Sequence, residues 1–298
     1  MSAPDTLVGE YLRWLTVERG RSRATIEAYR RDLHSFLSWW GERDLREVTG
    51  ADVESYLNEL RDTRAASSVA RSLSSLRGWW GFLRQEGVLT VDPIAHVTPA
   101  RRGRTLPKPL PEDVMAHLLD TLTTHTPVDR RDRALLELLY GTGARVSEVV
   151  GLELHDLDFD EELLRVTGKG SKQRLVPMGR SLREALRSYL SAGGRPEFPK
   201  PRAHAFLFVN TRGGPLSRQG VDLIIASRAL RAGVDRSTVS AHVFRHSCAT
   251  HMLAHGADIR VVQELLGHTS IATTQLYTAV SITSLQRIYA DAHPRAHD

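Results

Sequence analysis

"LDFDEELLRVTGKGSKQRLVPM" (Leu157–Met178) is the stretch where the hydrophobic pattern of this chain changes period. Inside it, "LLRV" and "QRLVPM" read as two short strands. Between them "TGKGSK" supplies the glycines and small polar residues of a hairpin turn. The segments on either side repeat their apolar residues at helical spacing. The expected fold class is therefore mainly α, with a small antiparallel β-sheet in the second of two domains.

Upstream, "VDRRDRALLELLYGTGARVSEVVGL" (Val128–Leu152) reads as a helix through Tyr140, a glycine break, and a second helical turn. Downstream, "SLREALRSYL", "SRQGVDLIIASRALRAG", "SAHVFRHSCATHMLAHG", "DIRVVQELLG" and "SITSLQRIYADAH" are again helical. The first ~97 residues show four helical segments. Leu7, Tyr11, Leu12 and Leu15 share one face, and Ile26, Tyr29, Leu33, Phe36 and Leu37 share another. Thr49 and Asp52 have the spacing of an N-cap with its acidic partner, and Gly87 closes the fourth helix. Between the two regions, "HVTPARRGRTLPKPLPED" gathers prolines with Arg101, Arg102, Arg104 and Lys108, the composition of an extended basic linker. The expected organisation is a helical domain over 1–97, a linker over 98–109 and a second domain over 110–298.

The formal charge is +5 and arginine dominates the basic side. Such a surplus favours an anionic partner, nucleic acid above all, although a codon bias toward arginine produces the same composition. A basic linker can track a phosphate backbone. No apolar run reaches the ~18 residues of a membrane span, and the N-terminus lacks the pattern of a signal peptide. One cysteine, Cys248, rules out an internal disulfide. Together these point to the cytoplasm.

Candidate chemistry gathers in four places. In "SAHVFRHSCATHM", His242 and Arg245 lie three apart and share a helix face, with His246 nearby. Val243 stands where a zinc hydrolase needs Glu, so a metalloprotease site is disfavoured. The segment supplies no carboxylate for its arginine, which makes an external anion such as phosphate the natural counterpart. Arg145 follows a glycine break and opens a helix, where anions are favoured; a local pair with Glu148 is the alternative. Lys169 and Lys172 stand on the hairpin turn, which lacks the spacing of a Walker loop. In "LLGHTSIATTQLYT" (Leu265–Thr278), Gly267 reads as a helix stop, and His268 and Tyr277 taken singly read as a helix-end histidine and a packing tyrosine.

Taken together and in this order, "TGARVSEVVGL", "GKGSKQRLVPM", "HVFRHSCATHML" and "LLGHTSIATTQLYT" resemble the tyrosine recombinase (phage integrase-like) family of site-specific DNA recombinases. The resemblance spans essentially the whole chain. The tail "LQRIYADAHPRA" is similar to the Xer branch, its XerC members more than its XerD members. Phe244 and Cys248 depart from the expected Leu and Phe. The resemblance implies an N-terminal DNA-clamp domain and a C-terminal catalytic domain ending in a docking helix. It implies Tyr277 as the nucleophile, His242 as general base, Arg145 and Arg245 as the phosphate clamp, His268 as a further phosphate hydrogen bond, and Lys169 as general acid. Arg101, Arg102, Arg104, Lys108 and Lys172 would contact DNA. No cofactor, metal or ATP is implied. The implied partners are double-stranded DNA, a homo- or hetero-tetramer at the synapse with a second Xer-type (XerD-like) recombinase, and a cell-division DNA translocase of the FtsK-like kind. The implied role is resolution of chromosome dimers at cell division. A mobile-element integrase, a swivelling relaxer of one duplex, and a DNA binder without strand exchange are the alternatives. The tail beyond Tyr277, with Leu285, Ile288 and Tyr289 at helical spacing, would dock into a neighbouring protomer.

Overall fold

The computed structural model describes residues 4–89, 91–95, 97, 108–168, 172–199, 205–267 and 282–297. The chain divides into two compact units, residues 1–104 and 105–298. Of the expected basic linker, Lys108 is described and exposed, whereas Arg101, Arg102 and Arg104 lie outside the described residues.

The first unit holds α1 (Pro4–Val17), α2 (Arg23–Trp40), α3 (Gly50–Thr63) and α4 (Ala66–Gln85). Ser22 caps α2, and Thr49 and Asp52 cap α3 reciprocally, as their spacing predicts. The periodic residues of α1 form its buried face. In α2, Ile26, Leu33 and Phe36 are buried while Tyr29 and Leu37 sit at the rim. Phe36 lies edge-on to both Trp80 and Tyr56, at centroid separations of 5.3 and 5.2 Å. These large rings supply much of the burial in so small a unit. Arg71 forks onto the buried Asp32 at 2.8 and 3.1 Å.

The second unit holds α5 (Glu112–Asp120), α6 (Pro127–Thr142), α7 (Val146–Val149), β1 (Leu157–Asp158), β2 (Leu163–Thr167), β3 (Gln173–Pro177), α8 (Arg180–Leu190), α9 (Arg218–Arg231), α10 (Ala241–Ala254), α11 (Ile259–Leu266) and α12 (Ile282–Ala292). The strands form one antiparallel sheet in the order β1–β2–β3, with Leu164 opposite Val176 and Val166 opposite Arg174. Two of them are the expected hairpin; β1 is two residues long and too short to leave a periodic signal. Helix α6 is buried nearly all round, with Ala134, Leu135, Leu136, Leu138, Leu139 and Tyr140 inaccessible. It continues past Tyr140 to Thr142, whose hydroxyl donates to the Leu138 carbonyl at 2.6 Å, and it stops at Gly143 with φ of +56°.

Helix α10 carries two loads. Its far side holds the start of the unit: Leu110 donates to Ser247 Oγ at 2.9 Å, and its carbonyl accepts from His251 Nε2 at 2.9 Å. The Tyr140 hydroxyl then donates to His251 Nδ1 at 2.8 Å. Phe244 and Cys248, the departures from the family pattern, are fully buried.

The tail packs on this chain's own core through Leu285, Ile288 and Tyr289. The reason is polar as well as apolar. The Tyr289 hydroxyl donates to Gly141 O at 2.9 Å, and Arg295 finds its countercharges on α6 and α5, at Glu137 and Asp120. His293 is buried, donating Nε2 to Tyr140 O at 3.3 Å and accepting from the Arg295 backbone N–H at its Nδ1. Burial first, then nearby His251 and Arg295, push this imidazole down to about 3. The unfolded chain takes up that proton near 6.5 and the folded chain only near 3, so the unfolded state binds more protons in between. Stability is therefore full above pH 6.5 and falls as the pH drops, with a slope of up to about 1.4 kcal/mol per pH unit from this group. Urea unfolding at stepped pH should show that slope, and His293→Gln should flatten it; equal slopes in both proteins would remove His293 as the cause.

Candidate active site

The C-terminal end of α11 is the organising feature. Gly267 stops the helix in the left-handed region, φ +70°, leaving the last carbonyls without helical donors. Three arginines from three elements take them up. Arg174 of β3 donates Nε to Leu265 O at 2.8 Å. Arg245 of α10 donates Nη2 to Leu266 O at 2.8 Å. Arg145, just before α7, donates Nη2 to Gly267 O at 3.2 Å. Cations at this end also meet the negative pole of the helix. Thus Arg145 and Arg245, one hundred residues apart in sequence, are brought to adjacent carbonyls.

The approach depends on a second glycine. Gly143 accepts from Arg245 Nη1 at 2.6 Å through its carbonyl. A Cβ on Gly143 would lie 2.4 Å from Leu266 Cδ2, and the φ of +56° disfavours any residue with a side chain, so a substitution there must displace the Leu266 side chain and strain the turn.

Glu148 is the carboxylate among the described partners of these arginines. Its Oε1 accepts from Arg145 Nη1 at 3.0 Å, and its Oε2 accepts from the Arg145 backbone N–H and from Arg174 Nη2, both at 2.9 Å. Burial pushes the carboxyl up, but the Arg174 fork and then Arg145 outweigh it and hold it below the usual range. The expectation of an anion at the helix start after Arg145 is met from within: the chain's own Glu148 occupies that position. The local Arg145–Glu148 pair is real, yet it leaves Arg145 about two-fifths exposed and available to a ligand.

Arg245 is different. It is buried, and its described partners are neutral carbonyls. Burial first, then repulsion from Arg145 and Arg174, push its guanidinium down to about 10. It remains charged at neutral pH, and a phosphate oxygen is the partner that would relieve it. His242 lies one turn earlier on α10 and is exposed; His246 is exposed as well. Lys172 is exposed on the hairpin, where its carbonyl accepts from Gly168 N at 2.8 Å. Lys169, His268 and Tyr277 lie outside the described residues. Their described neighbours do not: Gly168 and Gly267 both border the Arg174–Glu148 pair. Arg174 is the residue that sequence reading missed. It stood inside the quoted hairpin, but nothing in its local spacing ties it to Glu148 or to Leu265.

Comparison with known proteins fits this arrangement. Residues 108–283 match the phage integrase family, and residues 8–87 match the phage integrase N-terminal SAM-like domain. The tyrosine recombinase XerD of Corynebacterium glutamicum is 47% identical over 97% of this chain and 98% of its own length. XerD of Mycobacterium tuberculosis is 45% identical over 96% of each. By fold, the XerH site-specific recombinase bound to a palindromic difH substrate aligns at TM-score 0.69, with 20% identity over 96% of this chain and 82% of that one. The Tn1549 transposon integrase in complex with circular intermediate DNA aligns at 0.70, with 19% identity over 94% and 98%. The expected leaning of the tail toward XerC is corrected, since these relatives carry the name XerD. His293 and Arg295 of that tail are buried. With two matched regions in series and near-full-length relatives, the chain belongs to the tyrosine recombinase (phage integrase) family and is a site-specific DNA recombinase.

Proposed function

We propose that Tyr277 attacks the scissile phosphate of duplex DNA, forming a 3′-phosphotyrosyl link and releasing a 5′-hydroxyl. A phenol has a pKa near 10 and needs help losing its proton; His242 serves as the base and returns the proton on rejoining. Arg145 and Arg245 hold the non-bridging oxygens and stabilise the charge that builds in the pentavalent transition state. His268 adds a hydrogen bond to the same phosphate, and Lys169 protonates the leaving 5′-oxygen. The covalent link conserves the phosphodiester energy, so a 5′-hydroxyl from another strand can reverse the step without ATP.

The observation that carries this reading is the meeting of Arg145 and Arg245 at the carbonyls of Gly267 and Leu266, with Arg245 lacking a carboxylate of its own. The chain that leaves Gly267 runs directly into His268 and on to Tyr277. Exposed Lys108 and Lys172, with Arg101, Arg102 and Arg104, suit contacts to duplex phosphates. The names of the XerD relatives support an XerD-type place within the Xer branch; we infer further a cytoplasmic recombinase acting in a tetramer with a second Xer-type recombinase on chromosome dimers at cell division, under a DNA translocase.

A nicked suicide duplex carrying a candidate chromosomal dimer-resolution site tests the chemistry. The wild-type chain should form a protein–DNA adduct that survives denaturation, and Tyr277→Phe should form none. An adduct that persists in the variant would move the nucleophile elsewhere.

A further inference from the structure

We infer that Arg174 is a positioning residue for strand cleavage, setting Arg145 through Glu148 and fixing the turn from which the segment bearing His268 and Tyr277 departs. This rests on the strand-cutting chemistry proposed above. Its guanidinium makes two directed hydrogen bonds from one buried place and lies close to a third backbone position. Nε holds Leu265 O at 2.8 Å, and Nη2 holds Glu148 Oε2 at 2.9 Å. Nη1 lies against Gly267, where an added Cβ would come within 3.1 Å of it. A Cβ on Gly168, the residue before Lys169, would meet Glu148 Oε1 at 3.3 Å and Arg174 Nη1 at 4.0 Å. One fork thus borders the residues that immediately precede both Lys169 and His268.

The consequence is mechanical and electrostatic. Glu148 has one carboxylate to share between Arg145 and Arg174. Arg174 Nη2 and the Arg145 backbone N–H both donate to Oε2, which restrains the carboxylate and leaves Oε1 to accept from Arg145 Nη1. Arg174 is itself buried and its described hydrogen bonds go to Leu265 O and Glu148, so it acts through its neighbours rather than on the phosphate. Lysine keeps the charge but cannot hold a helix-end carbonyl and a carboxylate in one plane.

Single-turnover cleavage of the nicked suicide duplex by full-length R174K, E148Q and the double variant tests this. Small displacements of reacting groups cost up to about a hundredfold, so R174K should cleave at least about tenfold more slowly at saturating protein. Its duplex affinity and final adduct yield should stay near wild type. Because both residues act through one linkage, the double variant should be no more than about threefold slower than the slower single variant. R174Q, read the same way, serves if R174K does not fold. A merely structural role lowers the yield of active protein and leaves the rate constant alone; that outcome overturns the inference. So does a rate constant within about twofold of wild type, or independent multiplication of the two defects. A wild-type chain that forms no adduct overturns the cleavage chemistry and this inference together, whereas wild-type adduct with an unchanged R174K rate overturns the inference alone.

Discussion

Arg245→Lys should slow strand cleavage by about a hundredfold or more, the scale on which a preorganised transition-state donor acts. Arg245 commits one N–H to Gly143 O and another to Leu266 O, and those two bonds aim the rest of the guanidinium. An ammonium in its place satisfies the carbonyls or a phosphate, but not both in the same geometry. Duplex affinity should change by no more than about threefold, because a recombinase of this kind spreads its binding over many phosphate contacts. The described hydrogen bonds of Arg245 go to neutral carbonyls, and the phosphate oxygens carry more charge in the pentavalent transition state than in ground-state DNA, so the gain is larger there. Single-turnover rates on the suicide duplex, set beside equilibrium binding, make the check. Equal losses in rate and affinity would mean that Arg245 only holds DNA.

Arg295→Ala should cost about 3–5 kcal/mol of folding free energy, the range for stripping one partner from a buried ion pair. Arg295 forks onto Glu137 at 2.7 and 3.1 Å and reaches Asp120 at 2.9 Å. Glu137 is 1% exposed on the central helix α6, so its carboxylate would be left buried without a countercharge. For a unit of this size each kcal/mol moves the melting temperature by about 2–4 °C, giving a drop of roughly 6–20 °C. Calorimetry on the full chain reads it directly. In the double variant E137Q/R295A the loss should be clearly smaller than in R295A alone, since no orphan charge remains. A shift of under about 2 °C in R295A would mean that the tail is not anchored at Glu137. That anchor also bears on assembly: a tail meant for a neighbouring protomer must first give up its own Glu137.

The need of Arg245 for a distant partner was readable from its own segment. The absence of any carboxylate in "HVFRHSCATHM" already said that Arg245 needs a partner from elsewhere, and the structure gives it neutral carbonyls. The hairpin and the cap at Thr49 and Asp52 were legible because each depends on neighbours within a few positions. Glu148 was legible only as half of a local pair, because its second partner, Arg174, stands 26 residues away. Tail packing was legible as an amphipathic helix but not as to where it docks, since the apolar face of α12 fits any apolar surface.

The sequence by itself determined most of the helices, the β2–β3 hairpin, the cap at Thr49 and Asp52, and which residue types could carry phosphodiester chemistry, because helical period, turn glycines and charge are local properties. Only the tertiary structure decided that Arg145, Arg174 and Arg245 converge on three successive carbonyls at the end of α11 and its Gly267 cap, and that the tail returns to α6. Those facts rest on pairings 21 to 158 residues apart, which fold energetics select through burial and hydrogen-bond satisfaction and which no local pattern records.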